Sequence, residues 1–110
     1  MRANEESKYG VVLTTVATKE RGHAIAEALL KAKLAACIKI FPVTSFYTWQ
    51  GKTNCDEEWQ LIIKTNLNLF AELTATIQSL HDYDVPEIVA LPIVDGSESY
   101  LNWLGSSLKN

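Results

Sequence analysis

Two stretches with helical spacing alternate with β-branched segments along this chain, and that alternation restricts the fold more than any other feature. Residues 9–18, YGVVLTTVAT, are short and β-branched, and they run into Thr18-Lys19-Glu20, a helix cap with an acid in the first turn. From Glu20 to Lys33 the apolar Ile25, Ala28, Leu29 and Ala32 recur at three and four, leaving Lys19, Arg21, Glu27 and Lys31 for water. ACIKIF predicts a second strand interrupted by Pro42, and TSFYTWQGKTNCDEEWQLIIKT predicts two long strands joined through residues 50–54. Asn68 is placed to cap a second helix through about Leu80, with Leu69, Leu73, Ile77 and Leu80 as its stripe. EIVALPIV is a last strand. Ser97 then caps a short helix, SESYLNWLGSSL, whose apolar face is Tyr100, Leu101 and Leu104.

The order β-α-β-β-α-β plus a terminal helix specifies an α+β fold, the ferredoxin-like split βαβ, with an antiparallel sheet and both crossover helices on one face. Right-handed crossovers make the first and third strands central and leave the fourth at an edge. Pro92 suits that edge, since proline cannot donate to a ladder. The whole chain, 1–110, reads as a single domain with residues 1–7 as a flexible start. With helices on one face only, a monomer needs polar residues at alternate strand positions. VVLTTV and IVALPIV are instead apolar or neutral on both parities, and Leu61 and Ile62 point to opposite faces. The open face is therefore expected to pack on copies of itself.

The formal charge of −3 leaves no basic surplus for a row of phosphates, so nucleic acid is not an expected partner. MRANEESKYG lacks the apolar core of a signal peptide, and no later run reaches the roughly 20 residues of a membrane span. The expectation is a soluble, cytoplasmic protein with Cys37 and Cys55 reduced.

The metal-ligand inventory of soft or borderline donors is Cys37, Cys55, His23 and His81, with no zinc-finger, CxxC or HExxH spacing. His81 stands out because it ends a helix close to Asp82, Asp84 and Glu87; it reads as a cap or as a ligand. Cys37 reads as a small apolar strand residue or a second ligand. The acids Asp56, Glu57 and Glu58 read as a solvated strand edge or as partners for Lys64. Tyr47 and Trp49 share one face of their strand, and Tyr83, Val85 and Pro86 make a stiff entry to the last strand. No nucleophile elbow, phosphate-cradling loop or Walker lysine is present, so the chain does not read as an enzyme.

KLAACIKIFPVTSFYTWQGK, EEWQLIIKT, the HxYxxPE of residues 81–87 and SYLNWL together resemble the CutA divalent-cation-tolerance family, over about residues 9–108. The resemblance implies a homotrimer and a role in tolerance of copper and other divalent ions, with no cofactor required and a bound copper or other divalent cation as the ligand. Copper ligands attributed to a bacterial relative fall here on Thr14, Leu80 and His81, of which only His81 is a metal donor of that kind. Cys37 would complete a site only if its strand brings it near His81. The family's likeness to P-II signalling proteins implies an alternative, a sensor binding a small molecule or anion in an intersubunit cleft near Lys64. Tyr47, Trp49, Glu57, Lys64, Tyr83 and Glu87 are the positions matching the family there.

Overall fold

A computed structural model describes residues 8–109 of the chain; the proposed flexible start, 1–7, lies outside the described residues. The elements are β1 (Tyr9–Val16), α1 (Lys19–Lys31), β2 (Cys37–Trp49), β3 (Lys52–Asn66), α2 (Phe70–Leu80), β4 (Val89–Pro92) and α3 (Glu98–Ser106), with a 3₁₀ turn over Leu67–Leu69 leading into α2. The strand order is β2-β3-β1-β4 with every pairing antiparallel, the ferredoxin-like arrangement with β1 and β3 central.

Thr18 starts α1 as its spacing predicts, its side chain accepting from the Arg21 amide at 3.1 Å. The helix ends in a Schellman motif, with Lys33 N–H bonded to the Leu30 carbonyl at 3.0 Å and Leu34 N–H to that of Leu29 at 2.9 Å. Lys33 takes the left-handed position, φ 57°, that glycine usually fills. Leu29 and Leu34 are both buried in the core, so the hydrophobic contact of the motif holds the turn closed.

Three sequence expectations need correction. Pro42 does not interrupt a strand: β2 runs continuously from Cys37 to Trp49, with Pro42 opposite Trp59. Because β2 is an edge, the missing amide donor removes no ladder bond the sheet depends on. The second helix is entered not from Asn68 but from Asn66, whose side-chain oxygen accepts from the Asn68 amide at 2.8 Å.

The hairpin turn is also tighter than residues 50–54. Trp49 pairs with Lys52, and Gln50 (φ 53°) and Gly51 (φ 75°) form a two-residue loop with both φ positive, the type I′ geometry that matches strand twist. This sets the register of the whole hairpin.

The main core lies between the sheet and the pair α1/α2. Val12, Val16, Leu61 and Ile63 from β1 and β3 meet Ile25 and Leu29 of α1 and Leu73 and Ile77 of α2, all fully buried. Gly10 belongs to this close packing, since an added Cβ would stand 2.4 Å from Leu67 and 2.7 Å from the Leu91 carbonyl. On the other face, α3 covers only one end: Leu101, Leu104 and Leu108 pack with Tyr9. Moving away from that end, the rows Val11–Lys64–Cys37–Leu91 and Leu13–Ile62–Lys39–Val89 stand on the face that α1 and α2 do not cover. Val89 and Leu91 are 46% and 52% exposed there, so the open face carries apolar surface that no other described residue covers.

Candidate functional site

Beyond Thr15 the open face continues onto the free part of the hairpin. Register from the Gln50-Gly51 turn places Ser45 opposite Asp56, Val43 opposite Glu58 and Tyr47 opposite Asn54, all with side chains on that face. The corner 81–87 runs beside this surface and is held by two residues. Arg21 donates to the Leu80 carbonyl at 2.9 Å and pairs with Asp82 at 2.8 Å, closing the C-terminal end of α2. The cation at that helix end is therefore Arg21.

His81 does the rest of the fixing. Its Nδ1 accepts from the Tyr83 amide at 3.1 Å, so that nitrogen is unprotonated, and its Nε2 donates to the Thr15 carbonyl at 2.8 Å. The ring also lies against Tyr83, centroids 4.8 Å apart. Both ring nitrogens are engaged with backbone, tying the corner to the end of β1.

Tyr83 is thereby aimed at β3, where its hydroxyl donates to Glu58 Oε2 at 2.7 Å. Burial and this bond to a carboxylate push the phenol well above its ordinary value. The Tyr47 hydroxyl donates to Asp56, and that bond first, with burial and the charge of Asp56 adding to it, raises its pKa as well. Both phenols stay protonated donors and hold the acids in place.

Between hairpin and corner opens a cavity of about 590 Å³. Its aromatic walls are Phe46, Tyr47, Trp49 and Tyr83. Its acids are Asp56, Glu58, Asp84 and Glu87, and among the described residues no lysine, arginine or histidine lines it.

Of the positions singled out from sequence, Tyr47, Trp49, Tyr83 and Glu87 converge here. Glu57 does not: parity puts it on the opposite face of β3, where Thr44 donates to it at 2.9 Å. Lys64 lies towards α3, donating to the Tyr100 hydroxyl at 3.1 Å with its charge over that ring. Cys37 pairs across from Lys64, four residues along β2 from Phe41, whose row contains Thr15. Cys37 is thus about 13 Å along the sheet and two strands across from the His81 anchor, and one chain does not bring the two together. Thr14 is buried on the helix-covered face. Among the described residues no three of His, Cys, Asp and Glu form a cluster able to hold a metal ion.

Asp56, Glu58, Asp84 and Arg21 carry more of the site than their sequence context suggests. The signal for the two hairpin acids was present: a two-residue Gln-Gly turn fixes their parity with Tyr47 and Trp49. Arg21 has no such signal, because its partners lie 59 and 61 residues away in sequence.

Residues 10–107 match the family described as CutA1 divalent ion tolerance protein. The chain is 48% identical over 95 residues to the divalent-cation tolerance protein CutA of Thermus thermophilus, covering 86% of this chain and 92% of that protein. It is 46% identical over 101 residues to the chloroplastic protein CutA of Arabidopsis thaliana, covering 91% of this chain but spanning only 56% of that protein's length. The crystal structure of CutA1 from Oryza sativa superposes with a TM-score of 0.90 at 45% identity, covering 93% of this chain and 94% of that one.

Proposed function

The chain belongs to the CutA1 divalent ion tolerance family, and on that footing we propose that it serves tolerance of divalent metal ions, copper among them, as a homotrimeric, non-catalytic binding protein. The observation that carries the tolerance role is the match across residues 10–107 together with 48% identity to a protein named for it. Support for assembly comes from the open sheet face, where Val89 and Leu91 stand beside Val11, Leu13 and Ile62 with no covering helix among the described residues.

The geometry adds a condition to metal binding at His81. An ion taking either ring nitrogen displaces the Thr15 carbonyl or the Tyr83 amide, so coordination there opens the corner. Expression of the chain in a strain made copper-sensitive by loss of its own relative tests the function: restored growth in Cu(II) supports it, and unchanged sensitivity overturns it. Titration of Cu(II) into wild type and His81→Ala by calorimetry decides the ligand. A clear loss of affinity in the variant makes His81 a ligand, whereas equal affinity leaves it as the anchor of the corner. Light scattering at micromolar concentration should give the mass of three chains.

A further inference from the structure

We propose that Asp95-Gly96 is a self-modifying site: the Gly96 amide nitrogen closes on the Asp95 side-chain carboxyl, and the resulting succinimide opens to isoaspartate in the segment that carries α3.

The sequence isolates the position. Of all aspartates and asparagines in the chain, Asp95 alone precedes a glycine; Asp56, Asp82 and Asp84 precede Glu57, Tyr83 and Val85. A side chain on the following residue crowds the approach of its amide to the carboxyl carbon, and glycine has none.

The fold brings the two reacting groups together. Gly96 N–H donates to Asp95 Oδ1 at 2.9 Å, and among the described residues no backbone carbonyl accepts from it. The nitrogen is therefore held by no ladder. Residues 93–97 form neither helix nor strand, and Val94 to Ser97 are exposed, which leaves Asp95 free to turn and carry the nitrogen from beside Oδ1 to above Cγ. Two other aspartates are tied down, Asp56 by the Tyr47 hydroxyl and Asp82 by Arg21 at 2.8 Å. Both reacting groups of the Asp95 site belong to adjacent residues, so the contact is made within one chain and needs no partner.

The step uses no reagent but water. The Gly96 nitrogen attacks Cγ of the protonated carboxyl, the N–Cγ bond forms, and the amide proton leaves with the carboxyl hydroxyl as one water. Water then adds to one of the two ring carbonyls and the C–N bond at that carbon breaks. Opening at Cγ restores aspartate; opening at the main-chain carbonyl leaves the backbone running through Cβ and Cγ. Charge is conserved and the backbone gains one carbon.

That carbon falls between two fixed points. Upstream, Ile93 N–H donates to the Tyr9 carbonyl at 3.0 Å; downstream, the Leu101 amide closes the first turn of α3 on the Ser97 carbonyl at 3.0 Å. Gly96 packs so closely that an added Cβ would stand 3.2 Å from Leu101, which forms the smaller core with Tyr9, Leu104 and Leu108. A longer backbone there displaces Leu101 and loosens α3.

Peptide mapping of the folded full chain after several weeks at physiological temperature tests the site. Isoaspartate at residue 95 should accumulate, read as resistance of the Val94–Asp95 bond to a protease that cleaves before aspartate, at least about tenfold faster than at Asp56, Asp82 or Asp84. Asp95→Glu keeps the charge but demands a larger ring and should give none. Asp95→Asn, whose side chain loses ammonia instead of water, should reach the same product faster. Amide exchange at Leu104 should be faster in converted protein than in fresh protein, and unchanged in Asp95→Glu aged alongside. Circular dichroism confirms that each variant is folded. The site is overturned if no isoaspartate forms at residue 95 of the folded chain, if the other aspartates convert as fast, or if Asp95→Glu gives the same signal. Unchanged exchange at Leu104 in converted protein overturns the loosening of α3.

Discussion

The helix-covered half of the sheet and the free half of the hairpin are built from the same two strands on opposite principles. Under α1 and α2, Leu61 and Ile63 of β3 are fully buried and each polar exception is small, such as Thr65, whose hydroxyl donates to the Leu34 carbonyl at 2.7 Å. Seven residues earlier on β3, Glu58 is buried as a carboxylate, Asp56 is held by a phenol, and Phe46 on the facing strand is 72% exposed. One half is therefore closed by apolar packing, with the buried Thr14 hydroxyl left without a hydrogen-bond partner among the described residues, whereas the other bonds its acids to phenols and leaves aromatic surface exposed. Stability within the chain resides in the first.

The largest effect that tests this division is in the core. Leu73→Ala removes a fully buried side chain facing Ile25, Leu29 and Ile77 and should cost about 2–5 kcal/mol in urea unfolding. Phe46→Ala removes no packing within the core, so any loss it causes should act through association and vary with protein concentration. A concentration-independent loss of equal size would show that the hairpin is part of the same core, and the division would fail.

A middle-sized effect is expected where the two halves meet. Tyr83→Phe leaves Glu58 buried without its donor and should cost about 1–3 kcal/mol. It also carries a pH signature. Because the folded-state pKa of Tyr83 is raised above the ordinary value of 10.0, the folded chain holds this proton more tightly, so its contribution is present below pH 10 and is lost as pH rises further. Unfolding midpoints measured from neutral pH to above pH 10 should fall more steeply for wild type than for Tyr83→Phe. Parallel curves would mean that the Tyr83–Glu58 bond is not made in solution.

The same division explains what could be read from the sequence. Element order, the central position of β1 and β3, and the edge placement of Pro92 follow from hydrophobic period and crossover handedness, which are local signals with one global solution. Pro42 misleads because a proline breaks a central strand but not an edge, and which strand is the edge is a tertiary fact. For the site, Tyr47, Trp49, Tyr83 and Glu87 were legible as positions, but their company was not. Glu57 is carried over as a position matching the family, and the two-residue turn puts Glu58 instead on the face of Tyr47 and Trp49. The Arg21 clamp on Leu80 and Asp82 stays hidden, since nothing in a helix sequence marks a contact made across the fold.

The smallest effects come from the two non-glycine residues with positive φ, one in each half. Lys33 closes α1 in the left-handed region at a cost of about 1–2 kcal/mol, and Lys33→Gly returns that strain less the 0.5–1 kcal/mol of extra freedom glycine brings to the unfolded chain. The net gain should be up to about 1 kcal/mol. Gln50 sits at the first central position of the type I′ turn, where Asn is preferred because its short side chain bonds the local backbone. Gln50→Asn should therefore stabilise by only a few tenths of a kcal/mol, about 0.3, and the gain should appear as slower amide exchange confined to the hairpin rather than as a shift in global unfolding. If Gln50→Asn instead raises the global midpoint as much as Lys33→Gly does, the hairpin unfolds together with the core, and the two halves differ in chemistry but not in cooperativity.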